Sequence, residues 1–257
     1  MLRDRLYNIL NDNFCKDTTY LIAEYIINNL DRIGDISIYE VAEECHASVA
    51  TVSRFCRRIG FADYSDFREA CQIEQDRKGK MQATHAGNSM LMQKGMPGLE
   101  EELQGLNQQL LQSLQKLSLE KVHRLVADIR RYEYVYFIGQ SNTFIMSGHL
   151  QTELLAWGKY CRSITEIPHE GFPVEKQKSL AVVFSMHGYL TKYSPSLVEF
   201  VREQFDTCWE ISQVSQKGKL AHTLYFGKCG QITADYMAWI YVADLVVYEY
   251  RKLLGVT

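Results

Sequence analysis

From residue 134 to residue 254 short apolar runs alternate with stretches of helical spacing, and this alternation restricts the fold more than anything else in the chain. Tyr134–Ile138, Tyr160–Ile164, Leu180–Ser185, Thr207–Gln213 and His222–Phe226 read as strands; Phe144–Gly158, Ser194–Gln204 and Asp235–Leu254 read as helices. Strands separated by helices call for a parallel sheet covered on both faces, a three-layer α/β domain. Ahead of it, Leu103, Leu106, Leu110, Leu114 and Leu117 form one stripe of a helix that starts at Leu99, and Leu119–Arg130 forms a second.

Residues 2–75 read as helices throughout, with Tyr20–Leu30 carrying apolar surface into a turn at Gly34 and Asp35. Ser37-Ile-Tyr-Glu40 is a capping-box pattern that opens a short helix, Ile38–Cys45. A break at His46 and Ala47 follows. Ser48 then caps a second helix, Val49–Ile59, which stops at Gly60, a residue suited to the left-handed C′ position. Asp63 starts another helix through about Gln75. From residue 76 large apolar residues thin out and Gly rises, which marks a linker. The expected organisation is an all-α helix-turn-helix domain over 1–76, a linker over 77–97 and the α/β domain over 98–257.

Bulk properties exclude several classes. The net charge is −3, and residues 1–80 hold 11 Lys and Arg against 14 Asp and Glu, so nothing in the overall charge favours nucleic acid. Binding to DNA would have to come from local placement. The seven cysteines are scattered without a Cys-x-x-Cys pair, which speaks for reduced thiols and against a disulfide framework or zinc site. No apolar run is long enough for a bilayer, and Met-Leu-Arg-Asp-Arg-Leu is followed by no leader-like apolar segment. A cytoplasmic location is expected, with no membrane partner, no metal and no cofactor.

Within the second helix of the pair, Val49, Val52, Phe55, Cys56 and Ile59 fall on one face. Ala50, Thr51, Arg54, Arg57 and Arg58 fall on the rest. Small residues in the first turn suit entry into a major groove; Thr51 and Ser53 can bond phosphates or base edges, and an arginine can fork onto guanine. Ser48 at the helix start leaves amides that suit a phosphate. The stretch Ser48-Val-Ala-Thr-Val-Ser-Arg-Phe-Cys-Arg-Arg-Ile-Gly-Phe61, with Tyr64-Ser-Asp-Phe67 behind it, resembles the helix-turn-helix signature of the RpiR (MurR/RpiR) family of sugar-metabolism regulators. That resemblance implies an operator duplex as partner and a transcription-regulating role, with Ser48, Ala50, Thr51, Ser53, Arg54, Arg57 and Arg58 at the interface.

Two strand ends in the α/β domain carry ligand chemistry. Gly139 permits a sharp exit from the first strand, and Ser141, Asn142 and Thr143 set polar groups at the next helix start. Phe184-Ser-Met-His-Gly-Tyr189 closes the third strand. Such loops lie at the carboxyl ends of parallel strands, the usual ligand edge. Joined to the RpiR-like segment, they resemble a sugar isomerase (SIS) domain, which implies a phosphosugar effector held by Gly139, Ser141, Asn142, Ser185, His187 and Gly188, and a homodimer or homotetramer. The family's second loop typically reads Ser-x-Ser-Gly-x-Thr; here the second Ser is His187 and the Thr is Leu190, so two hydroxyls are replaced. Lys192 lies near, and the resemblance loosely sets Ser212 and Ser215 at the sugar edge. Two alternatives stand beside a sensing domain. One is a phosphosugar isomerase with His187, Glu153 or Glu170 as base. The other is a degenerate domain used only for dimerisation through the final helix (Ala238, Ile240, Val242, Leu245, Val246, Leu253) and the Leu-rich helix. No catalytic residue is expected.

Overall fold

The structure, a computed structural model, describes residues 2–12, 16–72, 88–139, 142–164, 174–215 and 219–256. The chain divides into two compact units, residues 1–93 and 94–257, with separate apolar cores.

The first unit is helical. Helices α1 (Leu2–Asp12), α2 (Thr18–Asn28), α3 (Ile38–Glu44), α4 (Val49–Arg58) and α5 (residues 64–72) enclose Leu6, Ile22, Ile26, Val52, Phe55 and Phe67. Capping fixes the helix starts. Asp17 accepts from the Tyr20 amide at 2.8 Å, Ser37 from Glu40 at 3.2 Å and Ser48 from Thr51 at 3.1 Å. Helices α3 and α4 end alike. The amide of Ala47 reaches back to the Ala42 carbonyl at 2.8 Å and that of His46 to Glu43 at 3.0 Å; Phe61 reaches Cys56 and Gly60 reaches Arg57, both at 3.0 Å. These are paired Schellman closures, each needing one left-handed residue. Gly60 takes that conformation (φ 85°) without steric cost, whereas in the turn between α3 and α4 it is taken by His46 (φ 49°). From α1, Arg5 donates to the Ile59 carbonyl and lies over the Phe61 ring, so a cation closes the C-terminal end of α4.

The range α6 (Asn88–Leu114) is two helical stretches that meet at a kink at Gly95 (φ 62°, ψ −152°): the first lies inside the expected linker, and the second begins close to the expected Leu99. Pro97 is tolerated because it falls in the first turn after that break, where its missing N–H has no helical partner to lose. Leu106 is buried on this helix, but Leu103 is 46% exposed, so the leucine stripe is only partly a core stripe. After α7 (Leu119–Arg131) come β1 (Tyr134–Ile138), α8 (Asn142–Ala156), β2 (Cys161–Ile164), β3 (Ser179–Ser185), α9 (Tyr189–Tyr193), α10 (Pro195–Gln204), β4 (Thr207–Ser212), β5 (His222–Tyr225) and α11 (Ile232–Leu253). From α7 onward, apart from the brief α9, which the sequence did not announce, every element lies within a few residues of its expected place.

All four ladders are parallel, in the order β2-β1-β3-β4-β5. Strand alternation sorts the side chains into two layers. Val135, Phe137, Val182, Phe184, Trp209 and Leu224 pack under helices that include α7, α8 and α11. Tyr136, Ile138, Ala181, Val183 and Cys208 face the other way, onto Leu190, Leu197, Val201 and Phe205. Phe184 sits edge-on to Phe137 with centroids 5.6 Å apart and lies 6.1 Å from the Trp239 ring. Burying a side chain of this size contributes about 1.5–3 kcal/mol. On α11, Ala238, Val242 and Val246 are buried, while Ile240 and Leu253 are exposed. At the amino-terminal rim of the sheet, Tyr132 donates its hydroxyl to Asp206 and bonds Thr207 Oγ1 at 2.6 Å, and the Lys159 ammonium donates to the Tyr132 carbonyl.

Candidate functional site

In the first unit, α4 turns Val52, Phe55 and Cys56 into the core and leaves Ser48, Ala50, Arg54, Arg57 and Arg58 exposed, with Thr51 and Ser53 half-buried between. The polar groups on this face are linked to each other. Ser48 Oγ lies 2.8 Å from Thr51 Oγ1; Arg54 Nη2 donates to Thr51 Oγ1 at 3.3 Å and Arg57 Nη2 to Ser53 Oγ at 3.1 Å. Two guanidinium groups are thus aligned along the outward face by short side chains one turn earlier. Arg58 turns aside and donates to Thr19 Oγ1 on α2 at 3.4 Å. The structure brings all seven sequence-predicted residues onto one surface. On α3, Tyr39 is 73% exposed. The spacing that buries Val41 and Ala42 already forces Tyr39 outward, but an exposed aromatic on its own gave no signal.

In the second unit, parallel pairing places Gly139, Ser185 and Ser212 at one edge. The sheet order sets a topological switch point between β1 and β3, whose carboxyl ends carry the two predicted loops. At Gly139 an added Cβ would stand 3.1 Å from the Thr143 carbonyl, so glycine is what lets α8 start this close to the strand end. Ser141 lies outside the described residues, as do the side chain of Asn142 and all of Glu170. Glu153 is half-buried on α8. Ser185 is fully buried, its hydroxyl accepting from the Thr191 amide at 3.3 Å. Thr191, one position past the hydroxyl the family pattern would supply, donates to Glu210 Oε1 at 2.6 Å. Ser212 Oγ donates to the Ser185 carbonyl at 3.1 Å, and Ser215 is exposed. Lys192 is exposed on α9, and Lys219 donates to the Thr191 carbonyl at 2.7 Å.

Burial pushes the Glu210 carboxyl above its ordinary value, against the Thr191 and Ser185 hydroxyls and the Lys219 charge, which lower it. Its Oε2 has no hydrogen bond. His187 occupies a left-handed conformation (φ 53°), followed by Gly188 (φ 70°), and its Nε2 lies 2.8 Å from Asp235 Oδ2. Asp235 sits in the first turn of α11 and also accepts from Gln213 Nε2 at 2.5 Å and the Cys229 amide at 2.8 Å. Trp239 Nε1 donates to Gln213 Oε1 at 2.8 Å. None of Asp235, Gln213, Thr191 or Glu210 was singled out from sequence, because each belongs to the site through a partner far along the chain. The thiols of Cys45 and Cys208 are pushed up to about 11 and those of Cys56 and Cys161 to about 12 by burial, which keeps all four protonated at neutral pH.

Residues 15–78 match the helix-turn-helix domain of the rpiR family. An uncharacterized HTH-type transcriptional regulator of Haemophilus influenzae is 21% identical over 138 residues, covering 53% of this chain and 48% of that protein. The HTH-type transcriptional regulator GlvR of Bacillus subtilis is 26% identical over 104 residues, covering 40% of this chain and 38% of that protein. The matched part thus spans about half the length of the first relative and less of the second. A solved structure from Methanococcus jannaschii, for which a 3-hexulose-6-phosphate isomerase function was inferred, shares the fold of the second unit. Its TM-score is 0.50 at 15% identity, over 61% of this chain and 93% of that one.

Proposed function

Starting from an N-terminal segment that is a helix-turn-helix domain of the rpiR family, we propose that this chain is a DNA-binding transcription regulator whose α/β domain binds a phosphosugar. The observation that carries the reading is the outward face of α4, where Arg54 and Arg57 stand exposed above Ser48, Thr51 and Ser53 inside the matched segment. In this reading α4 enters the major groove, its arginines meet bases or phosphates, and the amide end at Ser48 meets the backbone. The two curated relatives, both named HTH-type transcriptional regulators, support it. Two copies present two such helices to a palindromic operator, as a homodimer or a dimer of dimers acting in the cytoplasm. Fold supports the effector half: loops at the switch point of a parallel sheet suit a phosphorylated ligand. A bound effector alters operator affinity only as far as it binds the two arrangements of the dimer differently.

Gel-shift titration of the full chain on its own promoter fragments at low salt tests the first half; no preference over random duplex overturns it. A thermal-shift screen of sugar phosphates, with operator affinity measured for each hit, tests the second. Ser185→Ala is expected to blunt the effector response while operator binding without effector persists. One observation favours a second reading, a sugar-phosphate isomerase. A carboxylate-paired histidine, His187 with Asp235, stands at the carboxyl edge of the sheet, and such a pairing suits a general base. Turnover of the stabilising sugar phosphate would select the enzyme; stabilisation without turnover selects the sensor.

A further inference from the structure

The hydrogen bonds around Asp235 show which groups face each of its two oxygens. An indole N–H can only donate, so Trp239 Nε1, 2.8 Å away, fixes the oxygen end of the Gln213 amide. The nitrogen end is then turned to Asp235 Oδ1 at 2.5 Å, where the Cys229 backbone amide also donates at 2.8 Å. Both known partners of Oδ1 are donors. Asp235 itself is 1% exposed and lies in the first turn of the 22-residue α11, where helix amides favour negative charge. An ionised Asp235 takes a donor at Oδ2 as well, and the group there is His187 Nε2 with its hydrogen. In the neutral ring Nδ1 is the acceptor, and in the cation both nitrogens are donors.

We propose that His187 and Asp235 form a specificity-determining pair for an anionic effector, Asp235 fixing the imidazole with Nε2 protonated and His187 meeting the anion as an imidazolium at the carboxyl edge of β3. The inference rests on the effector half of the reading above and deepens it. His187 stands where the resembling loops place a hydroxyl, so a neutral bond is replaced by one whose strength follows protonation. Its side chain is 13% exposed, so the ring reaches the surface while its partner does not. Other charged groups around the loop are Glu210 on β4, bonded to Thr191; Lys192 on α9; and Lys219, bonded to the Thr191 carbonyl. The Cys229 thiol lies next to Asp235 and is raised by burial, so it brings no charge at neutral pH. The lysines add to the attraction for an anion and an ionised Glu210 opposes it; because burial raises the Glu210 carboxyl, His187→Ser is the variant that separates the two sources of pH dependence.

Asp235 acts here as a positioning residue, and Asp235→Asn separates that role from a packing role. The two donors on Oδ1 hold the new amide oxygen in place, so its NH2 must face His187 Nε2. That nitrogen then accepts and the ring proton moves to Nδ1. On the full chain labelled with 15N-histidine, the neutral His187 is expected as the Nε2–H form in the parent and the Nδ1–H form in Asp235→Asn. Binding is read with inorganic sulfate, which stays a dianion where a phosphate monoester gains a proton near pH 6. Sulfate is expected to bind the parent about tenfold more tightly at about pH 5.5 than at about pH 8, the scale of one charge-assisted hydrogen bond. Asp235→Asn and His187→Ser are expected to bind with little change between the two conditions.

An Nδ1–H ring in the parent, sulfate affinity that ignores pH, absence of sulfate binding at about pH 5.5, or a pH dependence that survives in His187→Ser would each overturn the pair. If Asp235→Asn fails to fold, the parent spectrum and His187→Ser still decide. Operator binding is measured separately, so a chain that reads no duplex yet shows the sulfate behaviour breaks the regulator reading and leaves the pair standing.

Discussion

The outward arginines of the first unit are steadied almost wholly by their own helix: Arg54 bonds a threonine three residues back and Arg57 a serine four residues back. At the ligand edge of the second unit, His187 is held by a carboxylate 48 residues further on, and that carboxylate by Gln213 and the Cys229 amide. The first surface is exposed and adjustable, able to give up weak intrahelical bonds for stronger ones to a partner. The second is held by partners from elsewhere in its own unit. If the proposed roles hold, a duplex-binding surface works with local, exchangeable anchoring, whereas a small-molecule site gains from groups fixed by buried neighbours.

The largest expected effect is that of Asp235→Ala. It leaves the His187 ring, the Gln213 amide and the Cys229 N–H without their acceptor in a buried setting, and should cost about 3 kcal/mol in urea unfolding of the full chain. A loss under about 1 kcal/mol would mean that the edge is no more preset than the helix face. Arg54→Ala should do the opposite. Stability should change by no more than about 0.5 kcal/mol. Specific operator binding should weaken by about 1–3 kcal/mol if the guanidinium reads a base, and operator and random duplex should lose equally if it meets phosphate.

His46→Gly sharpens the local side of the contrast. The turn between α3 and α4 closes through a left-handed residue, and glycine adopts that shape without the clash a Cβ brings. The substitution should raise the unfolding free energy of the first unit by about 1 kcal/mol, visible as a higher midpoint in thermal unfolding. The smallest effect concerns Glu210. Burial holds its carboxyl above the ordinary value, so the folded chain binds the proton more tightly than the unfolded one. Its contribution is present below the unfolded carboxylate range and is lost as pH rises through the folded value. Glu210→Gln should flatten stability against pH across that window, and an unchanged slope there would place the carboxyl in a wetter setting than its burial implies.

The same contrast explains what could be read from the sequence. Capping by Ser37 and Ser48, the stop at Gly60 and the strand–helix alternation depend on neighbours within a few residues, and spacing conveys them. Even so, a helical stretch from Asn88 up to the kink at Gly95 lies where a linker is expected, while the helix expected from Leu99 follows that kink. The two strand-end loops could be located, since any parallel sheet gathers its carboxyl ends. What the loops do with their polar groups could not. Nothing around Ser185 announces that its hydroxyl is used on Thr191, nor around His187 that a residue on α11 will hold it. The first partner depends on how the turn into α9 closes, six residues on, and the second on strand order bringing α11 to the same edge.

The bolted rim where Tyr132 ties to Asp206 and Thr207, and Lys159 to Tyr132, gives the α/β unit a fixed end and a working end. Changes made beyond the bolts, such as a fluorophore on exposed Tyr160 at the mouth of β2, fall a full strand length away from the ligand loops. That end is the natural handle for attaching a reporter or a surface tether, because it lies opposite the strand ends that carry Gly139, Ser185 and Ser212.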